Sequence, residues 1–245
     1  MNSICEKDVS AVKEIFRFIQ KNHDNPEENA VRDLYDSINL SYDEVGVSFH
    51  NLSTAAAQGV LYSAPKKVIA ILNEYCSNKD VSILECGAGT GLIGEKLYES
   101  GYKNTIGVDF SRKSLDVAEE KGVYKKLVCA EIVPEGMPFR DDEFDILICT
   151  GCIAPGHISP RCFPEWTRIV KPGGYVLLLL RKCYVEHQKG LEAFYSKSLG
   201  DSFQAEIRKL EISKKWEVVM RQIFPGYVYE GGILSDGVAV VCKVI

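Results

Sequence analysis

The sequence has no excess of positive charge: 34 acidic residues outnumber 29 lysines and arginines, and the net charge at neutral pH is −5. Because a phosphate backbone attracts basic surfaces, this balance argues against a nucleic-acid substrate. Long apolar runs are also missing. The longest strongly apolar stretch runs from Tyr175 to Leu180, which is far too short to cross a membrane, so we expect no membrane segment.

A secretory signal is not apparent either, because no basic segment followed by an apolar one is seen at the amino terminus. The nine cysteines are then expected to be reduced thiols inside the cell, and their odd number means that at least one could not pair internally. We therefore expect a soluble protein of the cytoplasm or nucleus.

The chain divides into two parts at about residue 63. Residues 1–63 are polar and rich in tyrosine, and they contain two predicted helices, at residues 9–21 and 27–38. This segment is predicted to be a helical cap on the following domain, and one interpretation makes it a lid over a substrate pocket. Its candidate contacts to substrate are Tyr35, Tyr42 and Tyr62.

Residues 64–245 are predicted to form one compact domain, in which apolar strands alternate with helices. This alternation predicts an α/β, Rossmann-like fold: a mostly parallel sheet with helices on both faces. No helix separates the last two strands, so they should pair antiparallel. The seven predicted strands are 81–85, 104–109, 126–129, 144–150, 175–181, 216–224 and 237–244, and the predicted helices are 66–75, 91–99, 111–121, 162–170 and 186–210.

A glycine-rich segment, Glu85-Cys-Gly-Ala-Gly-Thr-Gly91, follows the first predicted strand. Glycines at such a point allow a tight turn, close approach of a ligand to the backbone and close packing of the next helix. The subset Gly89-x-Gly91-x-x-Gly94 also matches the dinucleotide pattern, so the glycines alone do not identify the cofactor. The carboxylate of Glu85 is more selective, because it repels phosphate and suits a positively charged ligand.

A second acid, Asp109, ends the second predicted strand. A carboxylate at this position can accept hydrogen bonds from both ribose hydroxyls of NAD or of S-adenosylmethionine. Helix capping is the alternative role, but Ser111 already supplies a suitable cap for the next helix. We therefore favour a ribose contact.

Three motifs in this order resemble the successive motifs of class I S-adenosylmethionine-dependent methyltransferases: residues 85–91, Val108-Asp-Phe-Ser111 and Lys171-Pro-Gly-Gly174. The resemblance covers about residues 65–182. A narrower similarity, carried by residues 61–65, 120–124 and 150–158, is to methyltransferase-like proteins typified by the one encoded in the Williams–Beuren region.

The resemblance implies S-adenosylmethionine as the cofactor and assigns roles along the chain. The glycine loop would line the methionine and ribose end, while Asp109 would hold the ribose and Phe110 would flank the adenine. Residues 130–131 would lie near the adenine, where many relatives carry an aspartate. The full set of implied cofactor contacts is Glu85, Gly87, Ala88, Gly89, Asp109, Phe110, Ala130, Glu131, Thr150 and Gly151. The segment 171–174 is expected to be a structural turn between a helix and a strand.

A different interpretation arises from Cys149-x2-Cys152-x4-His157-x4-Cys162, which has the spacing of a zinc knuckle. Cys149, however, lies in an apolar run that fits a central strand, so its side chain should face a helix layer instead of converging on a metal. We therefore expect no metal. His157 follows the fourth strand and is a candidate to orient or deprotonate a methyl acceptor, and Arg181 is a further candidate at the pocket edge.

The predicted function is methyl transfer from S-adenosylmethionine to a small molecule or a protein by direct displacement. The acceptor atom stays open, because the sequence contains neither an Asn-Pro-Pro-Tyr signature of amino-group methylation nor a Pro-Cys nucleophile. Two alternatives remain: a catalytically silent protein that binds the cofactor or acts as a scaffold, and an NAD-dependent oxidoreductase.

Overall fold

A computed structural model describes residues 63–154, 157–185, 191–230 and 233–245, with the backbone alone for 191–198, 226–230 and 233–235. Residues 1–62 lie outside the described residues, and with them the two predicted cap helices and Tyr35, Tyr42 and Tyr62.

Seven strands of the described chain form one sheet in the order β3-β2-β1-β4-β5-β7-β6. Strands β1 to β5 pair in parallel, whereas β7 lies between β5 and β6 and runs antiparallel to both. The predicted fold class, a mostly parallel seven-stranded sheet whose last strand is antiparallel, is therefore confirmed. The strands are β1 Ile83–Cys86, β2 Thr105–Asp109, β3 Lys126–Cys129, β4 Phe144–Thr150, β5 Val170–Arg181, β6 Trp216–Glu230 and β7 Ile233–Val244.

Helices connect the strands, as the alternation of the sequence predicts. They are α1 Ala64–Tyr75, α2 Leu92–Glu99, α3 Arg112–Glu120, α4 Phe163–Ile169 and α5 Leu191–Ile212, with short 3-10 turns at Pro160–Cys162 and Lys182–Tyr184. Ser111 caps α3, because its hydroxyl accepts a hydrogen bond from the Ser114 amide at 3.1 Å. Within the described part of the chain, none of these helices is long and apolar enough to span a membrane.

The core has two layers because side chains alternate between the faces of a strand. One set of strand residues, which includes Leu84 and Cys149, packs with α4 and α5. The other set, which includes Ile83 and Ile148, packs with α1 and α2. Burial on both faces explains why the central strands are continuous apolar runs.

The structure differs from the sequence-based boundaries at the end of the sheet. Lys171–Gly174, expected to be a turn before β5, lies inside β5 as an irregularity: Phe144 pairs with Val170 and the next matched pair is Ile146 with Tyr175. Strand β6 continues beyond residue 224, past a register shift at Pro225, where a missing amide hydrogen is tolerated. Strand β7 begins four residues before its predicted start at 237, and α5, described as Leu191–Ile212, continues two residues past its predicted end at 210.

Candidate functional site

The candidate site lies where β1, β2 and β4 end. Glu85, Asp109 and Thr150 are at or next to the last residue of these three strands. The sheet order reverses direction between β1 and β4, because β2 and β3 extend to one side of β1 and β4 and β5 to the other. Such a switch point opens a crevice at the carboxyl ends of the strands, and this is where ligands bind in open α/β sheets.

The loop after β1 has an unusual backbone that only glycine adopts readily. Gly87, Gly89 and Gly91 have φ angles of +74°, +52° and +88°. The amides of Gly87 and Ala88 both donate to the Val108 carbonyl, at 2.8 and 3.1 Å, which fastens the loop to β2. A Cβ atom on Gly89 would meet no described residue within 4 Å, so this part of the structure leaves space for a ligand beside the Gly89 backbone.

Asp109 joins the glycine loop to the start of α3. One carboxylate oxygen accepts a hydrogen bond from the Gly89 amide at 2.9 Å, and the other accepts one from the Ser111 amide at 2.9 Å. The residue is 7% exposed. Each carboxylate oxygen has a second lone pair, so Asp109 can hold the loop and also accept hydrogen bonds from ligand hydroxyls.

Glu85 is a buried acid, with 2% exposure. The Tyr124 hydroxyl donates a hydrogen bond to its carboxylate at 2.8 Å. The pKa of Glu85 is raised to about 8: burial is the largest cause and nearby Asp109 adds to it, whereas the Tyr124 hydrogen bond and the charge of Lys121 act to lower the pKa. Ionised Glu85 is therefore costly in the protein alone, and a cationic group placed beside it would favour ionisation.

Tyr124 occupies a slot made by three glycines. A Cβ on Gly94 would collide with the Tyr124 ring, and Cβ atoms on Gly107 and Gly91 would lie 3.0 and 3.1 Å from ring carbons. Burial and the adjacent Glu85 raise the pKa of the Tyr124 hydroxyl well above its usual range, so this group stays protonated and can donate. Sequence reasoning assigned Tyr124 no role. The glycine at position 94, inside a helix, was the available sequence signal. Only the fold shows that a side chain there would collide with the Tyr124 ring.

Thr150 and the segment after it line the other side of the crevice. The Thr150 hydroxyl is buried and has no hydrogen-bond partner among the described residues. The Cys152 sulfur donates to the Thr150 and Gly87 carbonyls, at 3.2 and 3.5 Å, and so connects this segment to the glycine loop. Gly151, also with positive φ, donates its amide to the Leu179 carbonyl at 2.9 Å.

The predicted adenine contacts lie beyond Asp109, at the ends of β2 and β3. Phe110 is half-buried, and its carbonyl accepts a hydrogen bond from the Cys129 sulfur at 3.6 Å. The Ala130 amide donates to the Asp109 carbonyl at 3.0 Å, and Glu131 is exposed. Their roles toward a ligand stay predictions.

The two candidate groups for the acceptor lie on the β4–β5 side. His157 is half-buried, and its amide donates to the Ala154 carbonyl at 3.0 Å within a turn. Arg181 ends β5 and lies over the Tyr184 ring, with 5.5 Å from the guanidinium carbon to the ring centre. The β4–β5 pairing matches Thr150 with Leu179, so Arg181 extends past the same edge of the sheet. Both assignments stay predictions.

Three cysteines of the zinc-knuckle pattern lie close enough to interact: Cys149 interacts with both Cys152 and Cys162. The Cys149 side chain is buried in the core layer with α4 and α5. The Cys162 sulfur donates to the Ile132 carbonyl at 3.6 Å, and burial raises its pKa to about 12. Over the described ranges, no group of three or more His, Cys, Asp or Glu residues is arranged to hold a metal ion.

Comparison with known proteins shows what this domain is similar to. Residues 84–178, from β1 into β5, match the family model of a methyltransferase domain. This match supports a class I S-adenosylmethionine-dependent methyltransferase, a class whose cofactor is S-adenosylmethionine.

Individual relatives agree with this assignment. Methyltransferase-like protein 27 of Homo sapiens is 30% identical over 138 residues, which are 55% of this chain and 56% of that protein. The chain spans about half the length of the curated relatives it matches.

Two solved structures share the fold. A methyltransferase of Methanosarcina mazei has a TM-score of 0.54 at 18% identity, with coverage of 71% of this chain and 97% of that one. A TehB-like methyltransferase of Corynebacterium glutamicum has a TM-score of 0.52 at 16% identity, with coverage of 83% and 97%.

The chemistry of the site fits this cofactor. S-adenosylmethionine carries ribose hydroxyls, an ammonium group and a sulfonium group, and it has no phosphate. The site offers two buried acids, open space at Gly89 and the unpartnered hydroxyl of Thr150. Acids favour cationic and hydroxyl-bearing ligands and disfavour phosphates.

Proposed function

We propose that this protein is a methyltransferase that modifies a small molecule or a protein, with S-adenosylmethionine as the methyl donor. The observation that carries the proposal is the meeting of Glu85, Asp109 and a left-handed glycine loop at the switch point of the sheet.

Each part of the site has a proposed task. Glu85 would face the cationic end of the cofactor, and Asp109 would accept hydrogen bonds from the ribose. The Thr150 hydroxyl has hydrogen-bonding capacity left for the methionine end. The remaining proposed contacts are Gly87, Ala88, Gly89, Phe110, Ala130, Glu131 and Gly151.

Bound S-adenosylmethionine would supply a methyl group on a sulfonium sulfur, which a nucleophilic atom of the acceptor displaces. The protein then has to position the acceptor and exclude water. His157 is proposed to take or orient the acceptor proton, and Arg181 is proposed to hold an acidic part of the acceptor. Both side chains would act from the β4–β5 side of the crevice.

The structure also offers an account of the dinucleotide-like glycine pattern without NAD. Gly94 makes room for the Tyr124 ring. Glu85 would moreover offer no compensating charge to a pyrophosphate on the glycine loop, because its protonated form is neutral and its ionised form repels phosphate. These two observations favour methyl transfer over NAD-dependent oxidation.

The proposal is tested by calorimetric titration with S-adenosylhomocysteine, followed by transfer of a radiolabelled methyl group to size-fractionated cell extract. We expect binding and label in the small-molecule or protein fraction. Binding with no label in any fraction would instead indicate a catalytically silent cofactor-binding protein. Protection by NADH alone in thermal melts would indicate an oxidoreductase.

A further inference from the structure

The hydrogen bond between Tyr124 and Glu85 connects the proposed cofactor site to the segment between α3 and β3. Tyr124 precedes β3, two strands away from Glu85 in the sheet order. Its ring reaches β1 only because Gly107 on the intervening strand β2 and Gly94 on α2 have no side chains. Larger residues at either position would occupy the space of the ring.

We propose that Tyr124 is a positioning residue for the cofactor: its hydroxyl orients the Glu85 carboxylate and stabilises its ionised form, so that cofactor binding is coupled to release of the Glu85 proton. The inference rests on the proposed function, because it takes the bound ligand to be cationic near Glu85.

Several charged groups face Glu85 and set this balance. Asp109 on β2 opposes ionisation, whereas Lys121 at the end of α3 favours it. Lys121 is also paired with Glu95 of α2 at 2.9 Å, so part of its charge is already neutralised. The Tyr124 hydroxyl, which donates to the carboxylate at 2.8 Å, is itself neutral. A cationic ligand would add positive charge beside Glu85 and so favour its ionised form.

The coupling has a defined sign. With a pKa of about 8, Glu85 holds its proton in the ligand-free protein at neutral pH. A cationic ligand lowers this pKa, so binding releases up to one proton to the buffer. Affinity should then rise with pH by up to about tenfold per unit below pH 8 and level off above it.

Tyr124→Phe removes the hydroxyl and keeps the ring in its slot. Loss of a donor to the charged form raises the pKa of Glu85 further. We expect affinity for S-adenosylhomocysteine at pH 7.5 to fall about tenfold, with the plateau moved to higher pH. The matched control is Tyr102→Phe, a buried tyrosine whose hydroxyl donates to the Cys76 carbonyl at 3.1 Å; its affinity and profile should equal those of the wild type.

The experiment is isothermal titration of the full chain with S-adenosylhomocysteine between pH 6 and 9. Buffers of different ionisation enthalpy report the protons released on binding. Glu85→Gln serves as a reference, because it keeps any dependence that comes from the ammonium group of the ligand and removes that of Glu85. The wild type should release close to one proton at pH 7, and Glu85→Gln should release none beyond the ligand's own.

The outcomes separate the two proposals. No binding by the wild type at any pH overturns the proposed cofactor and the coupling with it. Binding with a flat pH profile, or an unchanged profile in Tyr124→Phe, overturns the coupling alone. If Tyr124→Phe does not fold, NMR titration of glutamate carboxyl carbons in the ligand-free wild type decides: a Glu85 signal that titrates near pH 8 supports the inference, and one at its ordinary value near 4.5 overturns it.

Discussion

An acidic residue at the amino ends of the parallel strands and one at their carboxyl ends differ in how their charge is compensated. At the amino ends of the strands, Asp145 accepts hydrogen bonds from the amide and hydroxyl of Ser82 and from the Lys171 ammonium, each at 2.7 Å. Although burial acts to raise it, the pKa of Asp145 is lowered by these hydrogen bonds. At the carboxyl ends, burial raises the pKa of Glu85 to about 8, and its donor is a neutral tyrosine.

This contrast separates an acid that stabilises the fold from one that is suited to a ligand. Asp145 has its cation within the chain, so its charge is compensated before anything binds. Glu85 is desolvated without equal compensation, which costs stability in the free protein and leaves interaction energy for a cationic ligand.

The largest effect is expected from exchanging an acid at each edge for alanine. Asp109→Ala removes the proposed ribose acceptor and the anchor of the Gly89 amide, so affinity for S-adenosylhomocysteine should fall about a hundredfold. Asp145→Ala, at the opposite edge, should lower the melting temperature and leave this affinity within about twofold. Calorimetric titration measures both. Wild-type affinity in Asp109→Ala would contradict the assignment of the site.

The next effect tests the glycine slot beside the carboxyl edge. Alanine normally stabilises a helix relative to glycine by about 1 kcal/mol. Gly94→Ala should instead lower the free energy of unfolding by about 1–3 kcal/mol, because the new Cβ collides with the Tyr124 ring. Urea denaturation measures the change.

The control for this prediction is the same substitution in a Tyr124→Ala background. With the ring absent, Gly94→Ala should be neutral or stabilising. If Gly94→Ala were as stable as the wild type, the glycine slot would accommodate a Cβ atom beside the Tyr124 ring and the prediction would be wrong.

A smaller effect should appear in the pH dependence of stability. The folded pKa of Glu85 lies above its ordinary value of 4.5, so the folded protein keeps a proton that the unfolded chain gives up. The free energy of unfolding therefore falls as pH rises from about 4.5 to 8. Glu85→Gln should remove this slope and be more stable than the wild type at pH 8.

Asp145→Asn should change the free energy of unfolding in the opposite direction, that is, lower it at neutral pH. Because the folded pKa of Asp145 is lowered, its contribution is present at neutral pH and is lost as pH falls through that value. We expect a loss of about 1 kcal/mol at pH 7, since the pair with Lys171 is partly exposed, and a smaller difference in acid. Urea denaturation of the ligand-free proteins at several pH values checks both variants. If the free energy of unfolding depended on pH in the same way in Glu85→Gln and Asp145→Asn, the proposed difference between the two acids would be wrong.

Local pattern was enough to predict much of the fold and part of the site. Strands Lys126–Cys129 and Phe144–Thr150 have the predicted bounds, because short apolar runs between polar segments indicate strands. The capping role of Ser111 could likewise be predicted, because helix capping depends on residues that are close in the sequence. Glu85 and Asp109 were expected at one edge because the carboxyl ends of parallel strands meet there.

Other features depend on contacts between residues far apart in the chain. Periodicity predicts that β6 and β7 pair, but not that β7 lies between β5 and β6, because alternation is the same in either order. The same limit applies to Tyr124: nothing near it in the sequence indicates that its ring lies against Gly94 and its hydroxyl against Glu85. The order of residues thus specified which acids follow which strands, whereas the unusual pKa of Glu85 arises only from burial and from partners that folding brings together.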